Sequence, residues 1–455
     1  MEQTVAKKGK PFGFYVCSLG FTFERCAFYT VKWMLATWIA YKVGSGGLGY
    51  SDVTAGSMSA AFVALTYITP IVGGYFADYW ISPRISIFVG MILMGVGYLC
   101  TWQASSLGLV WAMIILVSIG TGLFKGNLSG INGLQFSDED ELNEAFSIQY
   151  SFVNIGSFIG TTFLVLAIPA IGYNGVFLVC AILMFIDALW FILGARSLGE
   201  LGKKPFKVDQ RQFKQDGQEK ADEYNSKPLT SADGKRVVAI ILVTLFSIAF
   251  WTVWYLAYMP AYYYFGHGEG ADFLNRANWV IGSFTIPTSY FDSVNALVCI
   301  LLGPILGKLW TKMAHRPKGD MSMFKKTALG MILVGCSYVI MVLADVIRGN
   351  GQSNIIWLVL VSLLMSVGEM IFSPLGNSFI SKLAPAKLMG LLLGLWPIAV
   401  FFATMIYPRI YALLKTDVPS EFQMGYGILA AIVIVLGLIL WIFSKKLDKL
   451  EAADE

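Results

Sequence analysis

Seven ionisable side chains sit in stretches otherwise too apolar to hold them: Glu24, Arg25, Lys32, Lys125, Asp187, Asp292 and Glu369. Each costs about 2.5–3.5 kcal/mol to place in hydrocarbon, so each needs a partner, a watery cavity or a function. Arg25, Tyr29 and Lys32 recur at i, i+4 and i+7, which puts them on one helical face that cannot point at lipid. Glu24 and Arg25, as sequence neighbours, point different ways and are expected to find separate partners. Asp187 and Asp292 are expected near a membrane interface, in structural pairs. Lys125 and Glu369 fall near the inner ends of their helices in opposite halves of the chain, placed to form a bridge that closes a cavity and breaks when it opens. Arg25, Lys32 and Lys125 load the first half with positive charge and Glu369 is the clear acid of the second, so a zwitterion would meet complementary charge in a cavity between the halves. Tyr29, Tyr67, Tyr150, Trp251 and Trp396 are candidates to line it. This chemistry is recognition and proton exchange. No nucleophile elbow, HExxH, P-loop or ligand cluster is present, so the reading is not an enzyme, with no metal and no cofactor.

The elements that must position these groups follow from composition. Of 455 residues 56% are hydrophobic and only 14% charged, against about 25% charged in a soluble domain. That excludes an ordinary globular enzyme and predicts an all-α polytopic membrane protein. Stretches of about 20 apolar residues number twelve: 13–42, 54–80, 86–103, 107–128, 147–169, 174–194, 237–262, 288–311, 327–346, 355–380, 388–411 and 427–444. The expected organisation is an N-terminal six-helix bundle over 1–196, a charged linker over 197–236 and a C-terminal six-helix bundle over 237–455. The linker holds sixteen charged residues in forty, too many for hydrocarbon. With the N-terminus inside, the cytoplasmic face collects 25 Lys and Arg against 5 outside, so both termini are expected in the cytoplasm. Lys7, Lys8 and Lys10 precede an apolar stretch too long for a signal-peptide core, and a retained first helix is expected. The six cysteines fall singly within apolar spans and read as small hydrophobes, neither a disulfide frame nor a metal site.

Longer motifs then carry a family resemblance. FTFERCAFYTVK (Phe21 to Lys32) is similar to the ExxERFxYYGxR signature of the proton-coupled oligopeptide transporters of the major facilitator superfamily. GGYFADYW (Gly73 to Trp80, with Asp78), GTGLFKGNLS (Gly120 to Ser129), YSFVNIGSFIG (Tyr150 to Gly160), Asn295 with Pro304, and VGEMIFSPLGNSFISKLAP followed by GLLLGLW (Val367 to Trp396) resemble further family motifs, over nearly the whole chain. The resemblance implies the major facilitator fold, with twelve transmembrane helices in two bundles of six. It implies that Arg25, Tyr29, Lys125 and Asn154 hold a peptide carboxylate and that Glu369, helped by Asn295, takes the amino terminus. Tyr67, Tyr150, Trp251, Ser373 and Trp396 would line the pocket. Glu24 and Glu369 would carry protons, and Lys32, Asp78, Lys125 and Glu369 would gate. Two family carboxylates are absent: Phe21 stands at the first Glu of ExxER, and Tyr255 and Leu256 replace the acid and Gln of the seventh span. Lys32 therefore lacks its family partner, and Asp292 is a substitute candidate.

The function expected is secondary transport importing di- and tripeptides across the inner (plasma) membrane by alternating access, proton-coupled, by a monomer whose partners are the peptide, protons and lipid, with no nucleic acid. The alternatives are a carrier of another zwitterionic or cationic solute, such as an amino sugar or amino acid, without proton coupling, and a substrate sensor with little flux.

Overall fold

The computed structural model describes residues 10–136, 139–206, 229–316, 321–372, 376–385 and 388–451. Most of the linker, Ser373 and Pro374 therefore lie outside the described residues. Apolar runs interrupted by Gly and Pro form long helices: α1 (Phe12–Trp38), α2 (Asp52–Tyr79), α3 (Pro83–Trp102), α4 (Leu107–Gly133), α5 (Glu139–Thr162) and α6 (Ile168–Gly194). After the linker come α7 (Ser231–Leu256), α8 (Tyr258–Tyr262), α9 (Tyr290–Ala314), α10 (Met323–Arg348), α11 (Ile356–Phe372), α12 (Gly376–Leu383), α13 (Met389–Leu414) and α14 (Pro419–Glu451). Strands are confined to loops: β1 (Ala277–Asn278) pairs in parallel with β4 (Ser353–Asn354), and β2 (Val280–Ile281) with β3 (Phe284–Thr285) across a tight turn at Gly282.

Among the described residues, nine helical stretches are long and apolar enough to cross a bilayer. One of these, Glu144–Leu198, contains two of the expected spans, divided where Gly172 takes a φ of 70° that breaks the helix. With α1 and the 17-residue α11, each expected span has its helix. The protein is a multi-pass, all-α membrane protein. Of the expected span 355–380, the described residues form α11 and α12. Thr230 starts α7 with a capping box, its hydroxyl accepting from the Asp233 backbone while the Asp233 carboxylate accepts from Thr230. Those hydrogen bonds hold the Asp233 carboxyl below its ordinary range.

Packing groups the chain into two compact units. One contains Met1–Val31, Thr69–Gly160 and Asn174–Phe213, and the other Lys32–Ile68, Thr161–Tyr173 and Lys214–Glu455. In the first unit, glycines let backbones touch. A Cβ on Gly156 of α5 would lie 2.4 Å from the Thr22 carbonyl of α1, and one on Gly160 would lie 2.3 Å from that of Cys26. The α3–α4 crossing is equally close at Gly90 and Gly120. Small residues four apart are the usual means of bringing helices together in lipid, where apolar side chains alone give no driving force. In the second unit the residue-32–68 segment packs against elements of the later chain: Trp33 donates to Thr288 at 3.2 Å, the Tyr263 hydroxyl donates to the Ala36 carbonyl and that of Tyr407 to Gly56 at 3.3 Å.

Candidate functional site

In the first unit, α1 and α5 carry most of the predicted carboxylate-binding set. The α1 backbone approaches α5 so closely that the Thr22 hydroxyl donates to the Phe152 carbonyl at 3.0 Å, and a Cβ on Gly156 would meet Arg25 Cβ at 3.1 Å. Arg25 is thereby held beside the helix bearing Asn154 and Tyr150. The Asn154 amide donates to the Tyr150 carbonyl at 2.9 Å, and Tyr150 itself is 42% exposed. Tyr29 and Lys125 are half-buried, on α1 and α4.

The expectation of separate partners for Glu24 and Arg25 is corrected. Both are buried, and the Arg25 guanidinium donates through two nitrogens to the two Glu24 oxygens. A long Arg side chain can fold back along the helix to reach its neighbour, and burial away from water makes a charge-assisted pair the cheaper state. The guanidinium also lies 4.2 Å from the Phe28 ring centroid and 5.8 Å from that of Tyr29, a cation–π arrangement. Phe21, standing where the resemblance expects Glu, is buried and packs edge-on against Phe124 at 5.5 Å.

The second unit holds the acid. Glu369 of α11 accepts from the Asn295 amide of α9 at 2.9 Å, and the same amide reaches Ser366 at 3.0 Å. Asn295 thus fixes the orientation of a half-buried carboxylate, the pairing the sequence predicts. Trp251 is buried on α7 and meets Trp254 edge-on at 5.3 Å. Trp396 is half-buried, its indole covering Gly376 so closely that a Cβ there would sit 2.1 Å from the ring. Tyr67 and Asp78, both on α2, are half-buried. Ser373 lies outside the described residues.

Asp292, in the first turn of α9, is buried and paired as expected: it accepts from Lys32 Nζ at 3.2 Å and from the Tyr262 hydroxyl. Lys32, also buried, sits 4.4 Å from the Tyr258 ring centroid and 5.6 Å from those of Trp254 and Tyr255. Asp292 thus answers the basic residue left alone by Tyr255. Its position on the neighbouring span was the only signal available in sequence.

One further cluster has no motif in the sequence to mark it. Lys415 Nζ donates to Asp52 at 2.6 Å and Asp272 at 2.7 Å, while the Tyr411 hydroxyl donates to Asp52 at 2.7 Å. These groups line a cavity of about 340 Å3 in the second unit, together with Tyr263, Tyr264 and Phe422. None of the predicted binding residues lines it. Burial lowers the Lys415 ammonium, but the hydrogen bonds it donates to the two carboxylates outweigh this and hold the group above its ordinary value.

Each unit of this helical membrane protein buries charges of both signs, Arg25 with Glu24 in the first and Lys32 with Asp292 in the second. The model of the Major Facilitator Superfamily matches residues 19–408, and the chain belongs to that family. Membership makes it a transporter rather than an enzyme. It is 26% identical over 97% of both chains to a protein of Lactococcus lactis subsp. cremoris named "Di-/tripeptide transporter". The fold is shared with a crystal structure of the peptide transporter POT in complex with alafosfalin, at a TM-score of 0.85 and 23% identity, covering 98% of this chain and 97% of that one. It is shared also with a POT family transporter in complex with 5-aminolevulinic acid, at 0.84 and 24%, covering 97% and 98%.

Proposed function

We propose that this protein imports di- and tripeptides across the cytoplasmic membrane by alternating access, coupled to protons. The observation that carries the reading is a carboxylate oriented to take an ammonium, Glu369 held by the Asn295 amide at 2.9 Å. Arg25 and Lys125, with Tyr29 and Asn154, belong to one unit, whereas Glu369 on Asn295 belongs to the other. A peptide's carboxylate suits the first set and its ammonium the second. The Lactococcus lactis relative, matched along almost its whole length, supports the substrate class.

Substrate and proton act on the same groups in this scheme. A peptide carboxylate competing for Arg25 displaces Glu24, which can then take a proton, whereas an ammonium arriving at Glu369 stabilises the carboxylate and drives a proton off it. Tyr67, Tyr150, Trp251, Ser373 and Trp396 line the side-chain pockets. The gating roles of Lys32, Asp78, Lys125 and Glu369 rest on their sequence positions, as do the six-plus-six division at 197–236, an inner-membrane location with both termini cytoplasmic, and a monomeric state. Lys32 gates with Asp292 in place of an acid on α7.

A second reading, a different zwitterionic solute, is favoured by one feature: Tyr255 stands where the resemblance expects an acid, and a structural neighbour was crystallised with 5-aminolevulinic acid. Uptake of labelled dialanine into liposomes holding the purified protein, with and without an inward proton gradient, separates the readings. Gradient-driven accumulation in wild type and its loss in Glu369→Gln is the expected result. Uptake that only equilibrates would remove proton coupling. No uptake or competition by peptides in folded protein would sink the peptide assignment.

A further inference from the structure

We propose that Asp187 is a proton-binding site of this transporter, loaded while its carboxyl group is enclosed between α6 and α1. The proposal rests on the proton-coupled reading above and adds a site that this reading does not use.

Helix α6 runs tightly along α1. The Trp190 indole donates to the Val16 carbonyl at 3.2 Å, and a Cβ on Gly194 would meet Val16 Cγ1 at 2.6 Å. Between these contacts and Glu24, Gly20 leaves the space that Asp187 fills: Oδ1 lies 3.3 Å from the place a Gly20 Cβ would take. Asp187 is fully buried, and neither of its oxygens has a hydrogen-bond partner among the described residues. The titratable groups that face it from α1 are Glu24 and Cys17, and Arg84 at the start of α3 acts on Cys17. Besides Asp187, the nearest groups to a Cβ on Gly20 are Leu128 of α4 and Met91 of α3, both apolar.

An ionised carboxylate enclosed in apolar packing without a donor is among the costliest groups a protein can hold, and a bound proton removes that cost. Glu24, by contrast, is met by the guanidinium of Arg25. Lys125 of α4 also acts on Glu24. Of the two buried carboxyl groups on adjoining helices, Glu24 has cations and Asp187 has no donor among the described residues, so Asp187 has the proton. Loading forms a single O–H bond at Asp187 with a proton delivered from water on the outer side. Unloading breaks that bond and returns the proton to water on the inner side, when α1 and α6 part enough to hydrate the carboxylate.

The test uses the full chain in liposomes and two assays. Counterflow exchanges labelled for unlabelled dialanine without a gradient, while accumulation needs the inward proton gradient. Asp187→Asn, a neutral isostere, should keep counterflow within about twofold of wild type and lose accumulation above equilibrium. Infrared difference spectra across about pH 5–9 should show a carboxylic-acid carbonyl band that titrates in wild type and is missing from the variant. Accumulation by Asp187→Asn equal to wild type, or a band that never titrates, would overturn the proposal while leaving proton-coupled transport intact. Wild type that merely equilibrates dialanine would overturn the coupling and this site with it. Should the Asn variant not fold, Asp187→Glu decides: it should accumulate dialanine with a displaced pH optimum, and an unmoved optimum would count against the site.

Discussion

Lys32 and Asp292 show what a buried charge requires in an apolar protein. With the pair 3.2 Å apart, both ends at most 8% exposed and Tyr262 donating to the same carboxylate, the cost of leaving water is offset only while both partners are present. Lys32→Met should therefore destabilise the protein by about 3–5 kcal/mol, since Asp292 loses its cation and has either to hold an uncompensated charge or to take up a proton. Replacing both residues with apolar side chains should recover most of that loss, read as melting temperature in detergent. If the pair is also a gate, the double variant melts near wild type yet transports poorly. Equal transport by wild type and double variant would reduce Lys32 and Asp292 to a structural pair.

For the helices, function depends on how closely α5 approaches α1. Gly156 and Gly160 face the carbonyls of Thr22 and Cys26, and the same contact holds Arg25 against the helix of Asn154. Gly160→Val would force backbone apart at a contact that no side-chain rotation can relieve, a strain of about 1–3 kcal/mol. Its expected result is a steep loss of dialanine affinity that exceeds the loss of folded protein, measured as binding beside the yield of monodisperse material. Gly74→Ala is the control, since nothing lies within 4 Å of its Cβ. It should be neutral or stabilise α2 by up to about 1 kcal/mol. The motif GSFIG lies inside the stretch whose likeness to a family segment is visible in sequence, but which helix it meets is not.

Across the whole molecule, the charges outside the spans set the response to pH. Lys415 joins Asp52 at the start of α2 to Asp272, which belongs to the chain between α8 and α9. Its ammonium is held above the ordinary lysine value in the folded state. Its contribution to stability is therefore complete below the unfolded value of about 10.4 and is lost as pH rises through the folded one. Melting temperature should show no dependence on this group near neutral pH and an added fall in alkali. Lys415→Met should remove that alkaline component and lower stability throughout by about 1–3 kcal/mol, because Asp52 is fully buried and loses one of its donors. An unchanged alkaline slope in the variant would assign the fall to other groups.

Hydropathy and charge by themselves determined the class of protein, the twelve spans and the short roster of residues that hydrocarbon would not tolerate. Those are one-dimensional properties: a run of apolar residues must cross a bilayer whatever its neighbours, and a charge within it must be accounted for. Arg25, Lys125, Asn295 and Glu369 lie on four different helices, so it was the resemblance to family motifs, and no helical period, that grouped them as candidates. What only the tertiary structure decided was the pairing. Arg25 folds back onto Glu24, Lys32 finds Asp292 across 260 positions, Asp52 meets Lys415, and Asp187 is enclosed against Gly20 with no donor among the described residues. A partner's identity depends on which helices touch and at what height, and that is fixed by backbone contacts at small residues distributed along the whole chain.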